Sequence, residues 1–230
     1  DKYYNMKKET NWSLFGGDKK FRDNPFIDEL ELKSAYLRIT LDTRNDFKYP
    51  TQGWFINLLG EFAGPDFENE GLDFDRYILD IRRYQPIGYG ENLDFRLRAG
   101  TARGILPTQF KFDLGGISTL RGYKFKEFKD GDRMVLGNVE YRLYGPRGFL
   151  SHLWFNDINL ILFADAGLVW NAVDKSGACK SFDDLEWGDL MTDVGIAFSN
   201  YEGNVRVSVA KQMHDKEKPL VVTFRIRRPF

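Results

Sequence analysis

The strongest constraint in this sequence is a two-residue alternation of apolar and polar side chains. It recurs in stretches of about ten residues, the length of a tilted membrane-spanning strand. Ala35, Leu37, Ile39 and Leu41 stand against Tyr36, Arg38, Thr40 and Asp42. Leu93, Phe95, Leu97 and Ala99 stand against Asp94, Arg96 and Arg98. The same period runs through residues 53–63, 74–86, 135–143, 158–165, 193–198, 204–209 and 222–227. Successive side chains of a strand point to opposite faces, so such a chain offers one medium an apolar face and another a polar one. The count predicts an all-β chain of about nine strands. Soluble strands average nearer five or six residues. Full charges fall in mid-strand at Arg38, Asp80, Arg96 and Arg98.

Two architectures satisfy that pattern. A soluble β-sandwich would turn the charged face to bulk water, and a membrane barrel would turn it to a wet lumen. The strand length and the mid-strand charges favour a transmembrane antiparallel β-barrel. Composition agrees: the 230 residues include 20 Phe, 11 Tyr and 5 Trp, and barrels concentrate aromatics at both membrane interfaces. No apolar run reaches the roughly 18 to 20 residues of a spanning helix, but alternating strands escape that criterion. The chain opens on Asp1-Lys2-Tyr3-Tyr4 without a leader, as expected of a mature or partial chain of an exported protein.

Charge and chemistry narrow the function. Lys plus Arg (33) balance Asp plus Glu (34), which gives no reason to expect nucleic acid. One cysteine, Cys179, excludes an intrachain disulfide and a cysteine zinc cluster. The two histidines, His152 and His214, fall in separate loops, so no metal site and no cofactor is expected. No serine lies in a Gly-x-Ser-x-Gly elbow. Gly115-Gly116 lacks the lysine and spacing of a phosphate loop. No catalytic residue is therefore assigned.

Residues 105–133 break the alternation. A connection this long is uncommon unless it works for the protein. It contains Gly115-Gly116, Leu120, Arg121, Gly122 and Tyr123. The run Phe112-Asp113-Leu114-Gly115-Gly116-Ile117-Ser118-Thr119-Leu120-Arg121-Gly122-Tyr123 resembles the loop motif of the Omp85 family, the bacterial surface antigen D15 barrel. Leu136-Gly137-Asn138-Val139-Glu140-Tyr141-Arg142 resembles that family's next strand, and Phe163-Ala164-Asp165-Ala166-Gly167 the strand after it. The similarity runs from about residue 30 to the last residue.

The resemblance implies a protein that inserts or translocates other proteins at a bacterial outer membrane. It further implies that the loop of residues 105–133 folds into the barrel and that Arg121 meets Asp165 and Glu140 on the inner wall. The alternation by itself already puts both acids on the polar face; read without the family they could also pass for a glycosidase carboxylate pair. Placing the loop between strands eleven and twelve of a sixteen-strand barrel leaves four strands before it and five after. The chain would then supply strands eight to sixteen over residues 30–230, with 1–29 an outer loop or strand stub. Nine strands do not close an even-numbered bacterial barrel, so the others are expected upstream or in another chain.

The final stretch, with Phe224, Ile226 and Phe230, resembles the aromatic-ended strand that assembly machinery reads. Arg228 and the missing glycine depart from that pattern. The implied partners are outer-membrane lipid, client outer-membrane or secreted proteins, and assembly lipoproteins. The implied mechanism has no covalent step: a seam opens laterally while the Arg-Gly-Tyr loop occupies the lumen. Two rival readings are a barrel that anchors an upstream enzyme domain and a passive outer-membrane channel.

Overall fold

The protein is described from a computed structural model that covers residues 2–3, 30–65, 73–145, 158–172, 182, 187–215 and 217–226. Its strands are β1 (Lys2–Tyr3), β2 (Leu30–Glu31), β3 (Ala35–Asp42), β4 (Gly53–Ala63), β5 (Asp73–Gly88), β6 (Glu91–Ile105), β7 (Phe112–Leu114), β8 (Phe128–Gly131), β9 (Arg133–Leu143), β10 (Ile158–Trp170), β11 (Met191–Asn200), β12 (Val205–Gln212) and β13 (Val221–Ile226). Nine of them form one antiparallel sheet in the order β13-β12-β11-β10-β9-β6-β5-β4-β3. Four sheet strands precede the long loop and five follow it, the count that the alternation predicts. The loop's own β7 and β8 pair with each other outside this sheet.

Every neighbour in the wall is antiparallel, so short turns can join most strands. Only the β6–β9 pairing skips part of the chain, and what it skips is the loop. Strand length is less uniform than the sequence pattern suggests: β5 has 16 residues and β6 has 15, whereas β13 has 6.

The alternation becomes a two-sided sheet. On one face Leu97, Leu162, Ile196, Phe198 and Phe224 are exposed. On the other Asp94, Arg142, Asn159, Asp165, Asp193 and Arg206 are buried. A soluble protein does the reverse, burying apolar groups and exposing charge. The sheet is also curved toward its polar side. Arg206 of β12 bonds Glu140 of β9 at 2.9 and 3.1 Å. Three strand spacings would separate these strands by about 14 Å if the sheet were flat, farther than an arginine side chain extends.

One expectation needs correction in detail. The inner face is not polar throughout. Near the loop it carries Ile78, Ala102, Met134 and Leu136, which pack with Phe112, Leu114, Leu120 and Tyr123 of the loop. The reason is local: this patch of wall faces protein rather than lumenal water, so apolar residues are favoured there.

Leu162→Arg places a cation on the outward apolar face. If that face meets lipid, the substitution destabilises the folded barrel by about 2–4 kcal/mol. Denaturant unfolding in lipid vesicles measures this; a neutral result would return the sheet to a soluble architecture.

Candidate functional site

The loop is built to hold a compact tip. A 3-10 turn at Thr108–Phe110 leads into the β7–β8 hairpin. Beyond β7 the chain passes through Gly115 (φ +118°) and Gly116 (φ +95°), a region that L side chains rarely adopt. The tip then closes on itself. The Gly116 N–H donates to the carbonyls of Leu120 (3.0 Å) and Tyr123 (3.1 Å), and the Gly115 N–H donates to the Thr119 hydroxyl (2.9 Å). Leu114 and Leu120 are fully buried against the wall and fix the depth of insertion.

The base of the loop is also tied down. The Asp132 N–H donates to the Trp170 carbonyl at 3.1 Å, and Asp132 Oδ1 accepts the Ala172 N–H at 2.7 Å. Arg133 is wholly buried and donates to the backbone carbonyls of Ala102 and Asp132. Asp132 and Arg133 carry no signal in the alternation. Only the fold shows that they secure the loop base to β6 and to the end of β10.

Arg121 sits at the centre, 5% exposed. Its Nε donates to Asp165 Oδ2 at 2.7 Å and its Nη2 to Oδ1 at 2.6 Å, a bidentate pair. Its backbone N–H also reaches Oδ2 at 3.2 Å. Asn138 Nδ2 donates to Oδ1 at 2.7 Å. Together these use the roughly four acceptor positions that a carboxylate offers. Arg121 Nη1 pairs with Glu140 Oε1, and Glu140 also takes both terminal nitrogens of Arg206. Glu140 faces Phe163 across the β9–β10 pairing, and Asp165 faces Asn138. The two acids are thus diagonal neighbours, and the guanidinium lies between them, 3.6 Å over the Phe163 ring.

Gly122 and Tyr123 complete the tip. A Cβ on Gly122 would stand 2.6 Å from the Cβ of Asp193, so the loop can approach β11 this closely only at a glycine. The Gly122 carbonyl accepts from Gln212 Nε2 at 2.8 Å. The Tyr123 hydroxyl donates to the Thr192 carbonyl at 3.2 Å, and its ring meets Phe128 edge-on at 5.1 Å. Arg121, Gly122 and Tyr123 therefore reach from β9 across to β12.

Sequence reasoning placed Arg206, Asn138 and Asp193 on the polar face without giving them a role here. It missed Phe163, whose parity with Asp165 was the available signal. Phe224 and Ile226 lie apart from this site and are exposed on the outward face of β13. Phe230, His152 and Cys179 fall outside the described residues. Among the described residues no group of three His, Cys, Asp or Glu side chains could hold a metal ion.

Two substitutions probe the seat of the loop. Asp165→Asn keeps the shape but removes the charge facing Arg121, and loss of one member of a buried pair costs about 3–5 kcal/mol. Gly122→Ala forces the loop off β11 at about 1–3 kcal/mol. Both are expected to raise the rate of limited proteolysis within residues 115–127 while the barrel stays folded. Asp193→Gly should partly restore protection to Gly122→Ala, because it removes the atom that clashes.

Comparison with known proteins places the sequence in one family and the fold beside a solved relative. The Omp85 superfamily domain profile aligns with residues 27–227. The outer membrane protein assembly factor BamA of Nitratidesulfovibrio vulgaris (strain Hildenborough) is 25% identical over 179 residues, which is 71% of this chain and 22% of that protein. The crystal structure of Haemophilus ducreyi BamA lacking POTRA domains 1–3 superposes with a TM-score of 0.65 at 18% identity, over 83% of this chain and 41% of that one. The chain thus spans well under two thirds of either relative. The chain belongs to the Omp85 superfamily of outer-membrane β-barrel proteins.

Proposed function

We propose that this chain is the carboxy-terminal wall of a barrel that inserts or translocates proteins at the outer membrane. In this reading residues 30–230 supply strands eight to sixteen of a sixteen-strand barrel and residues 105–133 are an inward-folded loop; residues 1–29, expected as an outer loop or strand stub, lie outside the described residues apart from Lys2 and Tyr3. The work is non-covalent. A weakly paired seam opens laterally, and an incoming client strand adds to the exposed edge by backbone hydrogen bonding. Outer-membrane lipid, client proteins and assembly lipoproteins are the partners. Phe224 and Ile226 belong to the strand that carries the assembly signal, and Phe230, expected with them, lies outside the described residues.

The observation that supports this most is the double clasp on Arg121 by Asp165 and Glu140. A passive channel gains nothing from filling its lumen with a desolvated ion pair, whereas a machine that must hold a wall arrangement until a client arrives does. Buried ion pairs add little net stability over well-packed apolar groups, so their retention fits a positional role. The loop bonds to residues of β9, β10, β11 and β12 and so holds these four strands in one arrangement.

Arg121→Ala tests the reading in the whole protein. Client assembly or secretion is expected to fall by about tenfold or more, since one lost partner of a buried pair is worth several kcal/mol. Folding of the barrel, read from heat-modifiable gel mobility, should change little. Full client activity in this variant would defeat the proposal.

A further inference from the structure

The chain holds a second inward-folded segment, at the opposite end of the sheet from the long loop. Residues 43–52 connect β3 to β4. Hairpin connections usually need two to five residues. This one uses ten, from Thr43 to Gln52, between Asp42 at the end of β3 and Gly53 at the start of β4.

The extra length is internally organised. Asp46 Oδ1 accepts the backbone N–H groups of Lys48 and Tyr49, both at 2.7 Å. Asn45 Oδ1 accepts those of Thr51 and Gln52, both at 3.0 Å. Short polar side chains that bond nearby backbone in this way stabilise defined turns. The turn therefore presents Tyr49 and Pro50 in one fixed orientation, and that orientation is inward.

What they touch lies far away in the sequence and across the concave face. The Pro50 carbonyl accepts from Arg142 Nη2 of β9 at 2.8 Å. The Tyr49 hydroxyl accepts from Asn159 Nδ2 of β10 at 3.2 Å. The Arg142 guanidinium stands 4.8 Å from the Tyr49 ring centroid, and Tyr144 meets that ring edge-on at 6.1 Å. A Cβ on Gly203, in the β11–β12 turn, would collide with the Tyr49 ring. Arg142 also pairs with Asp94 of β6, so one buried guanidinium joins the turn to two strands of the wall. Strands β5, β6 and β9 stand between β4 and β10 in the sheet, so these contacts cross the lumen rather than follow the wall.

We infer that residues 43–52 are a second plug, which obstructs the lumen at the end opposite the Arg121 loop by docking Tyr49 and Pro50 on Arg142, Asn159 and Gly203. The two inserts bracket a cavity of about 350 Å³, with Tyr49 and Pro50 on one side and Ser118, Thr119 and Arg121 on the other. The lumen along this wall is then obstructed at two levels in series, so loosening either insert raises the flow that the other still limits. Client handling at a lateral seam does not require this plug, so the two proposals can fail separately.

Conductance of the whole protein in planar lipid bilayers tests the inference without any client. Replacing residues 44–53 with Asn-Gly, a two-residue hairpin turn that keeps Thr43 opposite Trp54, should raise conductance several-fold. Tyr49→Ala, which leaves the turn backbone and both strands in place, should raise it in the same direction by less. Tyr49→Phe keeps the ring contacts and should stay close to the unaltered protein. Heat-modifiable mobility confirms that each barrel is folded, and Tyr49→Ala carries the test alone if the shortened turn does not fold. Unchanged or lower conductance in folded Tyr49→Ala would overturn the inference.

Discussion

A guanidinium removed from water must find carboxylates, and in this protein the requirement is met by bringing three parts of the chain together. Arg121 arrives on a loop, Glu140 on β9 and Asp165 on β10. Leaving any one alone would strand a buried charge, which costs several kcal/mol. The loop can be inserted only when the wall beneath it has its acids in place, and those acids are best satisfied only when the loop is in. Arg206 strengthens the dependence by sharing Glu140. The site is therefore cooperative: its members are stable together and costly apart.

Charge alone would not set the loop's depth. Phe112, Leu114, Leu120 and Tyr123 bury apolar surface against Ile78, Met134 and Leu136, and this fixes how far the loop enters. The ion pairs then fix its orientation, because a bidentate guanidinium–carboxylate pair tolerates little rotation. Gly122 removes the last obstacle at β11. Apolar packing gives the position, paired charge gives the angle, and a missing side chain gives the clearance.

Much of this was legible in the residue order. Period two in stretches such as 93–99 and 194–198 requires strands with unlike faces, and nine such stretches gave nine wall strands. The break at 105–133 marked the loop, because Gly115-Gly116 and the clustered aromatics cannot continue an alternation. Asp165 and Glu140 fell on the polar face from parity alone. Their distance to Arg121 could not be read in this way, since parity says which side a residue faces and nothing about what stands opposite. The apolar patch of Ile78 and Leu136 ran against the expected polar interior for a related reason: whether an inner-face residue meets water or a folded-back loop is decided by a segment elsewhere in the chain.

The sequence by itself determined the nine wall strands, the two-faced character of the sheet and the resemblance to the family, because these follow from short-range spacing and local motifs. Tertiary structure alone decided that Arg206 shares Glu140, that Asp132 and Arg133 secure the loop base, and that Tyr49 docks on Asn159 across the interior. Those contacts join residues up to 110 positions apart. They exist because a curved sheet brings distant strands within side-chain reach, and curvature is a property of the assembled wall rather than of any stretch of sequence.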